Sequence, residues 1–97
     1  MPRVLFTAAA RADFEDGLAW YEAHAPEVAP QFRQALRVAI ARIGQNPRQF
    51  PLSPHDTRRA LLRRFPYSLI FRETEEAIFV VAVFHTSRDP RIWKGRA

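Results

Sequence analysis

The period of the apolar positions changes twice along the chain. Val4-Leu5-Phe6 is a short β-branched and aromatic run that reads as a strand, and Thr7 behind it is a good helix N-cap. From Ala8 to about His24, Phe14, Leu18 and Tyr21 recur at helical spacing with Ala10 and Trp20 flanking. Asp13, Glu15 and Asp16 lie early in this segment, where the helix dipole favours acids. Gly17 interrupts it at a cost of roughly 0.5 to 1 kcal/mol relative to Ala, which points to a neighbour packed close against it. Ala25-Pro26-Glu27 restarts the helix, with Pro26 at the first helical position and Ala25 forced out of helical conformation by the ring that follows. In the second helix Val28, Phe32, Ala35, Leu36, Ala39, Ile40 and Ile43 form one stripe flanked by Arg33, Arg37 and Arg42, and Gly44 closes it. Asn46-Pro47 and Phe50-Pro51-Leu52-Ser53-Pro54 cannot continue a helix, so 45–57 is predicted as a loop.

From Arg58 the period becomes that of strands. Ala60-Leu61-Leu62 is a first short strand, and Phe65, Tyr67, Leu69 and Phe71 alternate with Ser68, Ile70 and Arg72 in a second. Pro66 has no N–H to give a ladder, so it belongs at a strand start or on an edge. Glu73-Thr74-Glu75-Glu76 is the turn of a hairpin, and Ala77 to Phe84 returns as an almost unbroken apolar run, the pattern of a central strand buried on both faces. The order predicts an α+β fold: an N-terminal strand, a helical hairpin, then a three-stranded antiparallel sheet against whose face the hairpin packs.

Composition narrows this further. With 97 residues the chain has room for one core, hence one domain over 1–97, and 47% hydrophobic residues with eight Phe are enough to pack it. There is no Cys, so no disulfide, thiolate metal site or Cys nucleophile is available, which fits a reducing compartment. Arg3 and the run Val4 to Ala10 mimic a signal peptide, but the apolar run has only the minimum length and continues directly into the amphipathic helix, so it is read as retained. Nothing approaches the roughly 20 apolar residues of a membrane span. Together these features predict a cytoplasmic protein with no membrane contact. Residues 1–57 carry six Arg against six acids and 58–97 nine Arg or Lys against four, so the whole net charge of +5 lies in the C-terminal part. Fourteen of the fifteen basic residues are Arg, suited to bidentate contacts with carboxylate or phosphate, although a compositional bias toward Arg would also produce this preference.

The succession Arg59, Leu61-Leu62, Arg63-Arg64-Phe65-Pro66-Tyr67, a hydrophobic strand, an acidic turn, then Ala82-Val83-Phe84-His85 with Arg88-Asp89-Pro90 and Trp93 resembles the RelE/ParE toxin superfamily. Trp20-Tyr21-Glu22, Asn46-Pro47 and Phe50-Pro51 extend the resemblance over the front half. It implies the growth-inhibiting toxin of a type II toxin–antitoxin pair, of the kind serving plasmid stabilisation, neutralised by a cognate antitoxin in a hetero-oligomer and needing no cofactor. ParE-like members poison DNA gyrase, whereas RelE-like members cut mRNA on the ribosome. Trp93, with no Tyr where the nuclease branch often places one, leans toward ParE.

A metal-independent ribonuclease needs a base, an acid and cations for the phosphorane. If the chain were RelE-like, His85, Arg88 and Arg64 would be the catalytic set; otherwise His85 caps a strand and Asp89 pairs with an Arg in a turn. Arg59, Leu61, Leu62, Arg63 and Phe65 are the expected antitoxin-binding residues, because Arg forks beside exposed apolar edges suit an acidic segment; the alternative is a solvated basic strand. Arg88, Arg91 and Trp93 are the expected target contacts, with Trp93 alternatively packing back over the sheet. His24 and His55 lack partners at metal-ligand spacing and read as surface residues, and Asp13, Glu15, Asp16 and Glu22 read as a solvated helix face. A basic nucleic-acid-binding module without toxicity is the remaining possibility, and would show steep salt dependence.

Overall fold

The structure, a computed structural model, describes residues 2–87. Strand β1 (Val4–Phe6) leads into helix α1 (Ala8–His24) and helix α2 (Ala29–Gln45). A 3-10 turn (Pro47–Gln49) follows, then strands β2 (Leu52–Ser53), β3 (Thr57–Leu61), β4 (Tyr67–Glu73) and β5 (Ile78–His85). The fold is α+β as the periodicity predicts, but among the described residues the sheet has five strands and not three, in the order β1-β5-β4-β3-β2. Two short runs make the difference. β1 joins the sheet by pairing parallel with β5, and β2 lies within the stretch predicted as loop and pairs antiparallel with β3. Neither pairing is visible in local periodicity, since one is long-range and the other is two residues long.

Thr7 caps α1 as expected, its hydroxyl accepting the Ala10 N–H at 3.1 Å. Gly17 is buried where α1 passes closest to its neighbours: a Cβ there would stand 3.3 Å from Phe32 Cζ and from the Tyr67 hydroxyl oxygen. The second helix starts later than Pro26. Ala25 still donates its N–H to the Tyr21 carbonyl and its own carbonyl accepts the Val28 N–H, so reversing the chain takes a full turn. Pro30, not Pro26, then fills the first-turn position where a missing N–H costs nothing. Gly44 does not end α2 but lies buried within it; Asn46 is the cap, and the Gln49 side-chain amide donates to the carbonyls of Arg42 (3.0 Å) and Asn46 (2.9 Å).

The helices cover one face of the sheet, where Phe32, Ile43, Leu69, Phe71, Leu62 and Val80 are buried in one cluster. Ile70, Val81, Ala82 and Phe84 form a second buried cluster, so β5 carries apolar side chains on both faces, as its unbroken run predicts. The register steps from Ile70↔Ala82 to Phe71↔Val80, leaving Val81 as the extra residue of a β-bulge.

Candidate functional site

The basic residues of β3 and the connection to β4 divide between two faces. Pairing of Ala60 with Leu69 turns Ala60 and Leu62 toward the helices, which leaves Arg59 and Leu61 on the other face. Arg58, on the helix side, is tied into the fold: its Nη1 donates to the Phe50 carbonyl at 2.7 Å, and its Nε lies 3.7 Å from Glu73, which also faces Arg48 at 3.7 Å. Arg42 stacks over the Phe50 ring at 5.2 Å. Arg59, Arg63 and Arg64 are exposed.

The β3–β4 connection is closed by the Leu62 N–H donating to the Tyr67 carbonyl and the Tyr67 N–H donating to the Phe65 carbonyl, both at 2.8 Å. Arg64 sits at φ 68°, a left-handed conformation that non-glycine residues enter at some cost, and the bend turns Phe65 back against Tyr21 (5.4 Å) and Phe32 (5.3 Å). Phe65 and Leu62 are therefore core residues, 9% and 2% exposed, where the sequence suggested exposed edges. Of the expected antitoxin-binding set, Arg59, Leu61 and Arg63 lie at the surface, and Leu61 is 59% exposed. Arg63 and Arg64 also border a groove against α2, lined by Gln31, Gln34, Ala35 and Val38.

His85 ends β5 as expected, edge-on to its cross-strand partner Tyr67 at 5.0 Å. Its Nδ1 accepts the Ser87 N–H at 3.1 Å, with the Ser87 hydroxyl at 2.7 Å, so the neutral ring carries its proton on Nε2. The cavities it borders are lined by Trp20, Tyr21, Pro66, Tyr67 and Ser87, and by Asp13, Asp16, Gly17, Trp20, Tyr67 and Val83. No Arg among the described residues lines either. The expected pairing of His85 with Arg64 about one phosphate is thus not formed: β4 separates β3 from β5, and the bend carries Arg64 to the α2 groove. Arg88, Arg91 and Trp93 lie outside the described residues.

Asp13 has a role the sequence did not reveal. It was expected on a solvated face, yet its carboxylate accepts the Val83 N–H at 3.1 Å. β1 pairs with β5 only from Val4↔Ile78 to Phe6↔Val80, and the Thr7 N–H then donates to the Val80 carbonyl (3.0 Å). Val81, the bulge residue, shifts the alternation by one, so that Val83 presents its N–H to α1. Burial raises the pKa of Tyr21, packed between Phe32 and Phe65, above the ordinary tyrosine value. His24, stacked on Trp20 at 4.5 Å, and His55 are exposed, as expected. Among the described residues no cluster of His, Asp or Glu could hold a metal ion, and no helix is long and apolar enough to cross a membrane.

A family model described as the ParE toxin of the type II toxin-antitoxin system, parDE, matches residues 4–90. The chain belongs to the ParE toxin family. The match spans every strand and helix described above, and it agrees with the ParE side of the resemblance drawn from the Arg59 to Trp93 motifs. A solved structure of the chromosomal ParDE TA system from P. aeruginosa superposes with a TM-score of 0.77 at 23% identity, covering 90% of this chain and 98% of that one, which extends the ParE likeness to the fold. No curated protein matches the sequence.

Proposed function

We propose that this ParE family chain is the toxin half of a type II pair, that it acts by binding DNA gyrase, and that a cognate antitoxin holds it inactive in a cytoplasmic hetero-oligomer. The observation that carries the reading is the family match over residues 4–90. The placement of Arg64 supports a toxin that works by binding and not by cutting RNA, because this described Arg of the RelE-like set borders the α2 groove, with β4 between β3 and the strand of His85. The antitoxin covers the surface of Arg59, Leu61 and Arg63, and the contacts to the target come from Arg88, Arg91 and Trp93.

Expression alone in a bacterium should arrest growth, and co-expression with the adjacent open reading frame should restore it. Purified protein at micromolar concentration should inhibit supercoiling by gyrase or trap cleaved DNA. His85→Ala should leave that inhibition intact, and Arg91→Glu with Trp93→Ala should abolish it. Codon-phased cuts in mRNA of a translating extract, lost in His85→Ala, would replace gyrase with the ribosome. Harmless expression would discard the toxin altogether.

A further inference from the structure

Unlike α1, helix α2 carries no acid: Ala29–Gln45 holds Arg33, Arg37 and Arg42 and neither Asp nor Glu. Arg42 is occupied over the Phe50 ring. Phe32, Leu36, Ala39 and Ile43 turn to the core, so the opposite side of the helix is a ridge on which Arg33, Gln34, Arg37 and Ala41 stand exposed. The β3–β4 bend adds a further cation beside this ridge, since Arg64 and Gln34 line the same groove. On the other flank Arg11 and Arg33 line a second groove, in which Glu15 is the one described acid. Among the described residues Arg33, Arg37 and Arg64 have no ion-pair partner.

Arg64 is also a poor match to its own backbone. At φ 68° it occupies the left-handed region that glycine or asparagine enters with less strain, so a guanidinium is kept there at a cost to folding. Strain of this kind collects where a side chain serves a ligand.

Two kinds of partner are drawn to a cationic face, an acidic protein and a nucleic acid. Protein interfaces centre on aromatic or large apolar anchors. The ridge has none, and the exposed large apolar side chains Trp20, Leu52 and Leu61 lie on α1, β2 and β3. Guanidiniums and an amide without an apolar centre match the polar, cationic surface that proteins set against a phosphate backbone.

We infer that the outer face of α2, with Arg64 at its flank, rests on the phosphate backbone of duplex DNA. Arg33, Arg37 and Arg64 each take a phosphate through the guanidinium fork, and the Gln34 amide between them donates to a phosphate or sugar oxygen. Three phosphate contacts alone bind weakly, so the face counts most when another contact already holds the chain beside DNA. The inference goes beyond the gyrase reading and does not depend on it, since naked duplex is the ligand.

The test is fluorescence anisotropy of a labelled duplex titrated with the full chain over a salt series. Binding should show a Kd below about 100 µM at about 20 mM salt and weaken with a log–log slope of about −2.7, roughly 0.9 for each phosphate. Arg33→Gln, Arg37→Gln and Arg64→Gly should each reduce that slope by about 0.9 and weaken binding about fivefold to tenfold at about 0.1 M salt. Glycine suits the left-handed backbone, so the melting temperature of Arg64→Gly should not fall and its lost affinity is not lost folding. Arg59→Gln removes the same charge from the opposite face of the sheet and should leave slope and affinity unchanged. Absence of binding at the lowest salt overturns the inference. So does a loss in Arg59→Gln equal to that in Arg37→Gln, which would mean attraction to net charge alone. If Arg33→Gln and Arg37→Gln lose affinity for the product of the adjacent open reading frame but keep it for DNA, the face belongs to an acidic protein and the inference is overturned as well.

Discussion

The two flanks of the sheet start from the same defect and end differently. On one flank β1 is too short to cover β5, and on the other β2 is too short to cover β3. Beyond β1 the chain enters α1, which carries Asp13 back across the uncovered edge, and its carboxylate takes the Val83 N–H. Before β2 the chain is wound into the 3-10 turn with Gln49 committed to the end of α2, so among the described residues no side chain is supplied to Leu61. An edge closed from within contributes stability, whereas an edge left open keeps its hydrogen bonds for something outside the molecule.

Neighbouring leucines give the largest expected contrast. Leu62→Ala should cost about 2 to 5 kcal/mol in urea denaturation, since Leu62 is buried under the helices, and Leu61→Ala should change stability by less than about 0.5 kcal/mol. Equal losses would mean that Leu61 is covered and that the open flank is not open. Next comes the closed flank itself: Asp13→Ala should cost about 1 to 3 kcal/mol by stripping the Val83 N–H of its acceptor, and should speed exchange of that amide. Asp16→Ala, one helical turn nearer solvent, should do neither.

A smaller effect sharpens the open flank. The β2–β3 turn holds His55 at φ 64° and Asp56 at φ 59°, two successive left-handed residues of the kind that Asn-Gly supplies without strain. The double change His55→Asn, Asp56→Gly should raise stability by about 0.5 to 1 kcal/mol, measured by thermal unfolding. The smallest effect is alkaline. Because burial raises the folded pKa of Tyr21, the folded chain holds that proton more tightly than the unfolded one. Its contribution is intact below the ordinary tyrosine pKa of about 10 and is lost as pH rises through the higher folded value. Tyr21→Phe should flatten the alkaline limb of a stability profile, and an unchanged slope would assign that limb to another group.

Features carried by local spacing are legible in the sequence alone. Thr7, the span of α1, the close approach at Gly17 and the double burial of β5 all follow from which side chains recur at which interval. What was not legible depends on partners far along the chain or on the hand of a turn. Asp13 looks like any acid on a helix surface until its acceptor role is set against a backbone group 70 residues away. Leu62 and Phe65 resemble Leu61 in composition, and only the register of β3 and the left-handed bend at Arg64 send them inward. Pro26 and Pro30 are equally good helix starters by local rules, and the length needed to reverse the chain chose the second.

The parallel pairing of β1 with β5 joins the first described strand to the last described one. During synthesis at about 5 to 20 residues per second, Val4 therefore waits roughly 4 to 15 s before its sheet neighbour Ile78 exists. Until then α1 has no Val83 to anchor on, and contacts so distant in the chain close slowly. A nascent copy is thus incomplete until β5 has left the ribosome, an interval in which a molecule that captures unfinished chains can act before any finished one is released.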